Sequence, residues 1–161
     1  MIQITIRPIE PSDNTTIAKI IRDTLTEFKA NKPGTVFFDD STDHLYELFR
    51  ETGSGYFIAL SDGKIVGGAG IFPTAGLPEK TAELVKMYLL PEARGIGLGK
   101  KLMDHNIAFA KQLGYENLYL ETMPELKNAI RSYERNGFTY LDSAMGNSCH
   151  TGCEIWMKKK I

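Results

Sequence analysis

Glycine stands at every second position in Arg94-Gly95-Ile96-Gly97-Leu98-Gly99-Lys100-Lys101, with three cations set around them. Glycine lets a backbone come close to a ligand, and the N–H groups of a helix's first turn have no internal partner. A segment of this kind suits an anion, above all a pyrophosphate. Its flanks agree. The run over residues 83–89 reads as a strand, and Pro91 stops it because proline cannot donate to a central ladder. Leu98, Leu102, Phe109 and Leu113 then share one face of a helix. Two familiar phosphate loops are excluded by residue identity. A P-loop needs glycine at 94 and Ser or Thr at 101, where the chain has Arg94 and Lys101. A dinucleotide fingerprint needs glycine at 100, which is Lys100. The spacing by itself also admits a plain strand-to-helix connector.

A second motif follows downstream, Asn128-Ala129-Ile130-Arg131-Ser132-Tyr133-Glu134-Arg135-Asn136-Gly137-Phe138. Ala129, Ile130 and Tyr133 keep a helical period, and Asn136-Gly137 is a helix stop. A tyrosine at such spacing ordinarily packs its ring in an amphipathic helix. The two motifs in this order resemble the two signatures of the GNAT superfamily, the acyl-CoA-dependent N-acyltransferases. The first is an Arg-x-x-Gly-x-Gly loop, the second a helix ending at glycine before a strand that begins with phenylalanine.

The resemblance implies an α/β (α+β) fold, one domain over residues 1–161, with a mixed, mostly antiparallel sheet of about seven strands and helices on both faces. It implies acetyl-CoA as co-substrate, no metal, and direct acyl transfer to a primary amine. The cofactor would be held by Arg94, Gly95, Ile96, Gly97, Leu98, Gly99 and Lys100, with Asn128 on the pantetheine arm or an ordered water. Backbone N–H groups of Met87, Tyr88 and Leu89 would polarise the thioester, and Tyr133 would give a proton to the departing thiolate. An amine is mostly protonated at neutral pH, so a base or a water chain must take a proton. Glu83 and Glu121 are the candidates. Strict alternation puts Glu83 on one face with Val85, Met87 and Leu89, and Lys86 on the other as a structural residue. Glu121 shares a face with Tyr119. Glu83 is preferred, because its strand runs on into the acyl-binding segment.

In this fold the acceptor enters between the first two helices and the hairpin of the last two strands, near Glu27, Phe28, Phe37, Phe38, Asp39, Asp40, His150 and Trp156. Asp39-Asp40 beside phenylalanines suits a small cationic amine or an amino-acid-like acceptor. A protein α-amine or lysine is the runner-up, and an acyl-CoA sensor without turnover is the reading from another class. The chain of 161 residues, 42% apolar, has enough for one core. A formal charge of −1 gives no pull towards nucleic acid or an anionic membrane. No apolar run reaches the ~20 residues of a membrane span. The start, Met1 to Arg7, alternates like a strand and lacks a signal-peptide core, so a cytoplasmic enzyme is expected, with a homodimer as a further possibility. Cys149 and Cys153, read as reduced thiols, offer with His150 only three ligands in a tight loop, and no metal site is expected there. The element order expected is β-α-α-β-β-β-α-β-α-β-β, with the second helix over residues 43–50.

Overall fold

The computed structural model describes residues 1–161 and has that element order. Seven strands form one sheet: β1 (Ile4–Pro8), β2 (Gly55–Ser61), β3 (Lys64–Phe72), β4 (Thr81–Leu89), β5 (Asn117–Thr122), β6 (Thr139–Leu141) and β7 (Ile155–Lys160). Their spatial order is β1-β2-β3-β4-β5-β7-β6, antiparallel throughout except for the parallel pair β4–β5. The helices are α1 (Asn14–Glu27), α2 (Leu45–Leu48), α3 (Leu98–Gln112) and α4 (Lys127–Arg135).

Helices cover both faces. On one, Ile17, Ile21 and Leu25 of α1 and Leu45 of α2 pack with Tyr56 and Ile58. On the other, Leu98, Leu102, Met103 and Ala110 of α3 pack with Val66, Leu84, Leu118 and Leu120. The second helix is one turn rather than the expected two. Residues 36–38 and 40–43 are wound as 3-10 turns, so the chain spends its helical tendency in short pieces before Leu45.

The central strand carries the feature that shapes the rest. Between Gly68↔Tyr88 and Gly70↔Val85 the ladder slips by one residue, leaving Lys86 and Met87 opposite Ala69. Lys86 takes a positive φ of 52°, as the extra residue of a bulge can. The alternation therefore flips. Val85 and Tyr88 pack towards α1, while Leu84, Met87 and Leu89 pack towards α3. The expectation that Glu83 shares a face with Met87 and Leu89, opposite Lys86, is corrected by this one extra residue.

What holds the bulge is a buried hydroxyl. Tyr56 Oη donates to the Lys86 carbonyl at 2.8 Å, and Tyr56 is 1% exposed. Its ring lies so flat on β3 that a Cβ on Gly68 or Gly70 would stand 2.6 or 2.7 Å from it. Those glycines are the room the ring needs. Past Glu83↔Tyr119, β4 and β5 no longer pair, and a cleft opens between them.

Tyr56→Phe keeps the ring and leaves the Lys86 carbonyl buried without its donor. That loss is expected to cost about 1–3 kcal/mol, which thermal unfolding would read as a melting point lower by roughly 3–10 °C.

Candidate active site

The cleft between the splayed strands continues into a cavity of about 850 Å³. At one end lies the glycine loop. Gly97, at φ 84°, is the residue before α3, a left-handed position that suits glycine. The backbone N–H groups of residues 95–100 donate to no acceptor in the protein, the first bond of the helix being Lys101 N–H to the Gly97 carbonyl at 3.2 Å. Six donors thus stand in a row at a helix N-terminus, as anion binding needs.

The expected cofactor residues are not all placed alike. Met87, Tyr88, Leu89, Arg94, Gly95, Gly97, Gly99, Lys100 and Asn128 line the cavity. Ile96 projects into solvent and the Leu98 side chain is in the core, and neither lines the cavity. Arg94 is already engaged. Its guanidinium makes two bonds to Glu27 (2.7 and 2.9 Å), its Nε donates to the Leu89 carbonyl at 2.9 Å, and it stacks 5.1 Å above Phe28. It fastens the end of α1 to the loop.

Deeper in the cleft, Tyr133 faces the cavity from α4 with its ring edge-on to Phe138 at 5.8 Å. Its hydroxyl has no protein partner, and burial pushes it up to about 12, so it keeps its proton. The Cys153 thiol lines the same space. Burial first, then the charges of Glu121, Glu83 and Asp39, push it up to about 12, which keeps it a thiol rather than a thiolate nucleophile.

Both expected carboxylates meet at the far end. Glu83 on β4 stands across from Tyr119 on β5, and Glu121 is two residues further on the same face. Glu83 is 4% exposed and accepts from the Thr74 hydroxyl at 2.6 Å. Burial, helped by the charge of Glu121, pushes its carboxyl up to about 7 against the pull of Thr74, His150 and Lys86. Glu121 is held by the Tyr119 hydroxyl at 2.6 Å and by Ser148. The two carboxylates therefore differ: one has a single hydroxyl donor, the other a donor on each oxygen.

Two participants were read from sequence only as acceptor-entry residues. His150, on the β6–β7 loop, places Nε2 2.7 Å from Asp39 Oδ2 and Nδ1 4.0 Å from Glu121 Oε1. Asp39, on the α1–α2 loop, is raised by burial but lowered further by the His150 bond and the charges of His150 and Lys86, so it stays ionised. The same loops meet again where Gly152 N–H donates to the Gly34 carbonyl at 2.9 Å. The donor atoms of Glu83, Glu121 and His150 lie within 4.8 Å of one another, close enough to share a proton or a small cation. Of the loop ligands considered from sequence, Cys149 is exposed and lies outside this group. Lys86, read as structural, also lines the cavity, and its signal was a second charge, beside Glu83, inside a mostly apolar strand.

A carboxyl that is harder to ionise in the folded chain lowers stability as pH climbs from its ordinary value of 4.5 through about 7. Glu83→Gln removes that penalty. Its melting point is expected to match the parent near pH 5 and to exceed it by on the order of 5 °C at about pH 8.5. An unchanged difference across that range in calorimetric scans would show Glu83 ionising freely.

The profile of the acetyltransferase (GNAT) family matches residues 17–138. An uncharacterized N-acetyltransferase of Escherichia coli, YjgM, is 39% identical over 96% of this chain and 93% of its own. A GNAT-family acetyltransferase structure from Staphylococcus aureus superposes with a TM-score of 0.87 at 20% identity, covering 98% of this chain and 99% of the other. The PaiA N-acetyltransferase of Thermoplasma acidophilum, solved in complex with coenzyme A, gives 0.77 at 20% identity over 99% of both chains.

Proposed function

Since the chain belongs to the acetyltransferase (GNAT) family and is an acyltransferase, we propose that it moves the acetyl group of acetyl-CoA directly to the primary amine of a small molecule. The observation that carries this reading is that one cavity joins the glycine loop, whose N–H groups are free, to Tyr133 and the buried Glu83. The N–H groups of residues 95–100 take the pyrophosphate, bordered by Arg94 and Lys100. The pantetheine arm runs past Asn128 into the cleft between β4 and β5. There the thioester carbonyl lies along Met87-Tyr88-Leu89, whose edge is free of β5. Backbone donors fixed where negative charge develops contribute a few kcal/mol each to the barrier.

The acceptor comes in from the α1–α2 side as an ammonium ion and loses a proton to Glu83, directly or through water. A carboxyl near 7 is ionised in about half the molecules at neutral pH and is a stronger base than an exposed glutamate. Glu121, saturated by Tyr119 and Ser148, holds the positive charge in place. The amine nitrogen attacks the carbonyl carbon, the C–S bond breaks, the sulfur takes its proton from Tyr133, and the second proton that the nitrogen sheds as the amide forms restores the Tyr133 hydroxyl. Cys153, kept as a thiol, forms no acyl intermediate. The products are the N-acetyl amine, coenzyme A as thiol, and one proton released to solvent.

A panel of amines with acetyl-CoA, followed by release of free thiol, tests the reading. Turnover that depends on the amine supports it; binding of acetyl-CoA with no thiol released for any amine would make the chain a sensor. Tyr133→Phe keeps the ring against Phe138 and removes the proton, so kcat is expected to fall about 10²-fold or more with little change in melting point.

Acetyl-CoA at a hundredfold excess over Kd should stabilise the fold by about 2.7 kcal/mol, a rise of roughly 5–10 °C. Gly99→Val is expected to abolish that rise. Gly99 faces the cavity without a positive φ, and a Cβ there meets only Leu89 at an ordinary 3.6 Å, so the fold tolerates the change. A full shift in the variant would place the pyrophosphate elsewhere.

A further inference from the structure

Lys86 carries an amino group that the protein nearly buries, pairs loosely with one acid and gives no hydrogen-bond acceptor. Its side chain is 5% exposed, its nearest acid is Asp39 at 3.9 Å, and none of its N–H donors has an acceptor within hydrogen-bond distance. Asp39 Oδ2 is itself committed to His150 at 2.7 Å. A nearly buried charge without a hydrogen-bonded partner is costly, and the distant ion pair with Asp39 offsets only part of that cost, leaving room for a second acidic group to offset more.

The ammonium opens on a second cavity of about 150 Å³, next to the first, with Glu83, Lys86 and His150 in the walls of both. The remaining wall divides sharply by chemistry. Leu48, Phe49, Phe72 and Val85 are its apolar members, and Asp39, Ser148 and Ser41, whose hydroxyl has no protein partner, are its polar ones. Phe49 and Phe72 meet edge-on at 5.7 Å, so the apolar side is a rigid aromatic corner. At roughly 30 Å³ per water-sized group, the space takes about five heavy atoms.

We propose that this second cavity receives the side chain of the acceptor, with its carboxylate beside Lys86 where the two cavities meet, so that the acceptor is a free α-amino acid with a medium-sized apolar side chain such as leucine or methionine, whose four side-chain heavy atoms the space admits. The amine faces Glu83 and the thioester, the carboxylate is taken by Lys86 and Ser41, and the side chain lies against Leu48, Phe49 and Phe72. Ionised Asp39, beside the carboxylate, is partnered by His150 and so repels it less. This inference rests on the amine-acetylation reading and sharpens it. An acceptor that lacks the carboxylate leaves the Lys86 ammonium nearly buried and only loosely paired, and sites built to pair a polar group discriminate strongly against analogues without it.

The test compares leucine with 3-methylbutylamine, which has the same side chain and no carboxylate, and with leucinamide, whose carboxylate is neutralised. Leucine is expected to exceed both in kcat/KM by about 10²-fold or more. Lys86→Met is expected to collapse that ratio by at least ~30-fold, mostly through the KM for leucine. Should Lys86→Met fail to fold, Ser41→Ala, at the polar wall, is expected to lower the same ratio several-fold. Leu48→Trp, filling the apolar side, is expected to turn the preference from leucine to glycine.

Equal rates for leucine and 3-methylbutylamine in the parent would overturn the carboxylate subsite and leave amine acetylation standing. If no acceptor turns over at all, the acetyl-transfer reading falls. Calorimetric binding of leucine, but not of 3-methylbutylamine, in the presence of coenzyme A would then still support the subsite, and binding of neither would overturn it.

Discussion

A strand that is paired along both edges has no backbone to spare for a ligand. In this fold β4 gives up two-thirds of one edge, and the hydroxyl of Tyr56 on the carbonyl of Lys86 holds it in that state. The bulge adds one residue to β4, rotates the residues beyond it, and bends the strand away from β5. The β4 residues that line the cavity inherit their positions from that bend. Met87 and Leu89 turn towards α3, Tyr88 towards α1, and the edge between them faces the cleft. The residues that permit it are Gly68 and Gly70, which contribute only the absence of a side chain under the Tyr56 ring.

The two ends of the cavity are built from different materials. At the glycine loop, positive potential comes from N–H dipoles, and the nearest guanidinium is neutralised by Glu27. At the other end every polar group is a side chain, drawn from β4, β5 and two loops that touch only in three dimensions. Desolvation acts unevenly there. Glu83, with a single hydroxyl donor, is pushed towards neutrality, whereas Asp39 keeps its charge through His150. Adjacent acids in different protonation states are what a proton transfer at neutral pH requires.

Much of this was readable from the chain, and the rest failed for identifiable reasons. The glycine loop and the order of elements follow from spacing and periodicity, which are local, whereas Glu83 and Glu121 were named together only through the family resemblance. The faces of β4 beyond Val85 did not follow, because alternation presumes an unbroken ladder. A hint existed in Gly67-Gly68-Ala69-Gly70, since glycines inside a strand often mark a bulge or a close approach. The pair Asp39–His150 joins residues 111 positions apart, and Arg94–Glu27 joins residues 67 apart. No single-sequence pattern links such partners. The second helix came out short because Leu45, Leu48 and Phe49 fit one turn and its exit as well as a longer helix.

The row of N–H groups at residues 95–100 belongs to the main chain, which every substitution except one to proline leaves in place. As long as glycine keeps the loop's shape, mutation has little to erase there. Asp39, Lys86, His150 and the Leu48–Phe49 corner are, by contrast, open to replacement one residue at a time. A lineage built on this scaffold would be expected to keep its donor and to trade acceptors freely, so paralogues with near-identical glycine loops should be poor guides to one another's substrates.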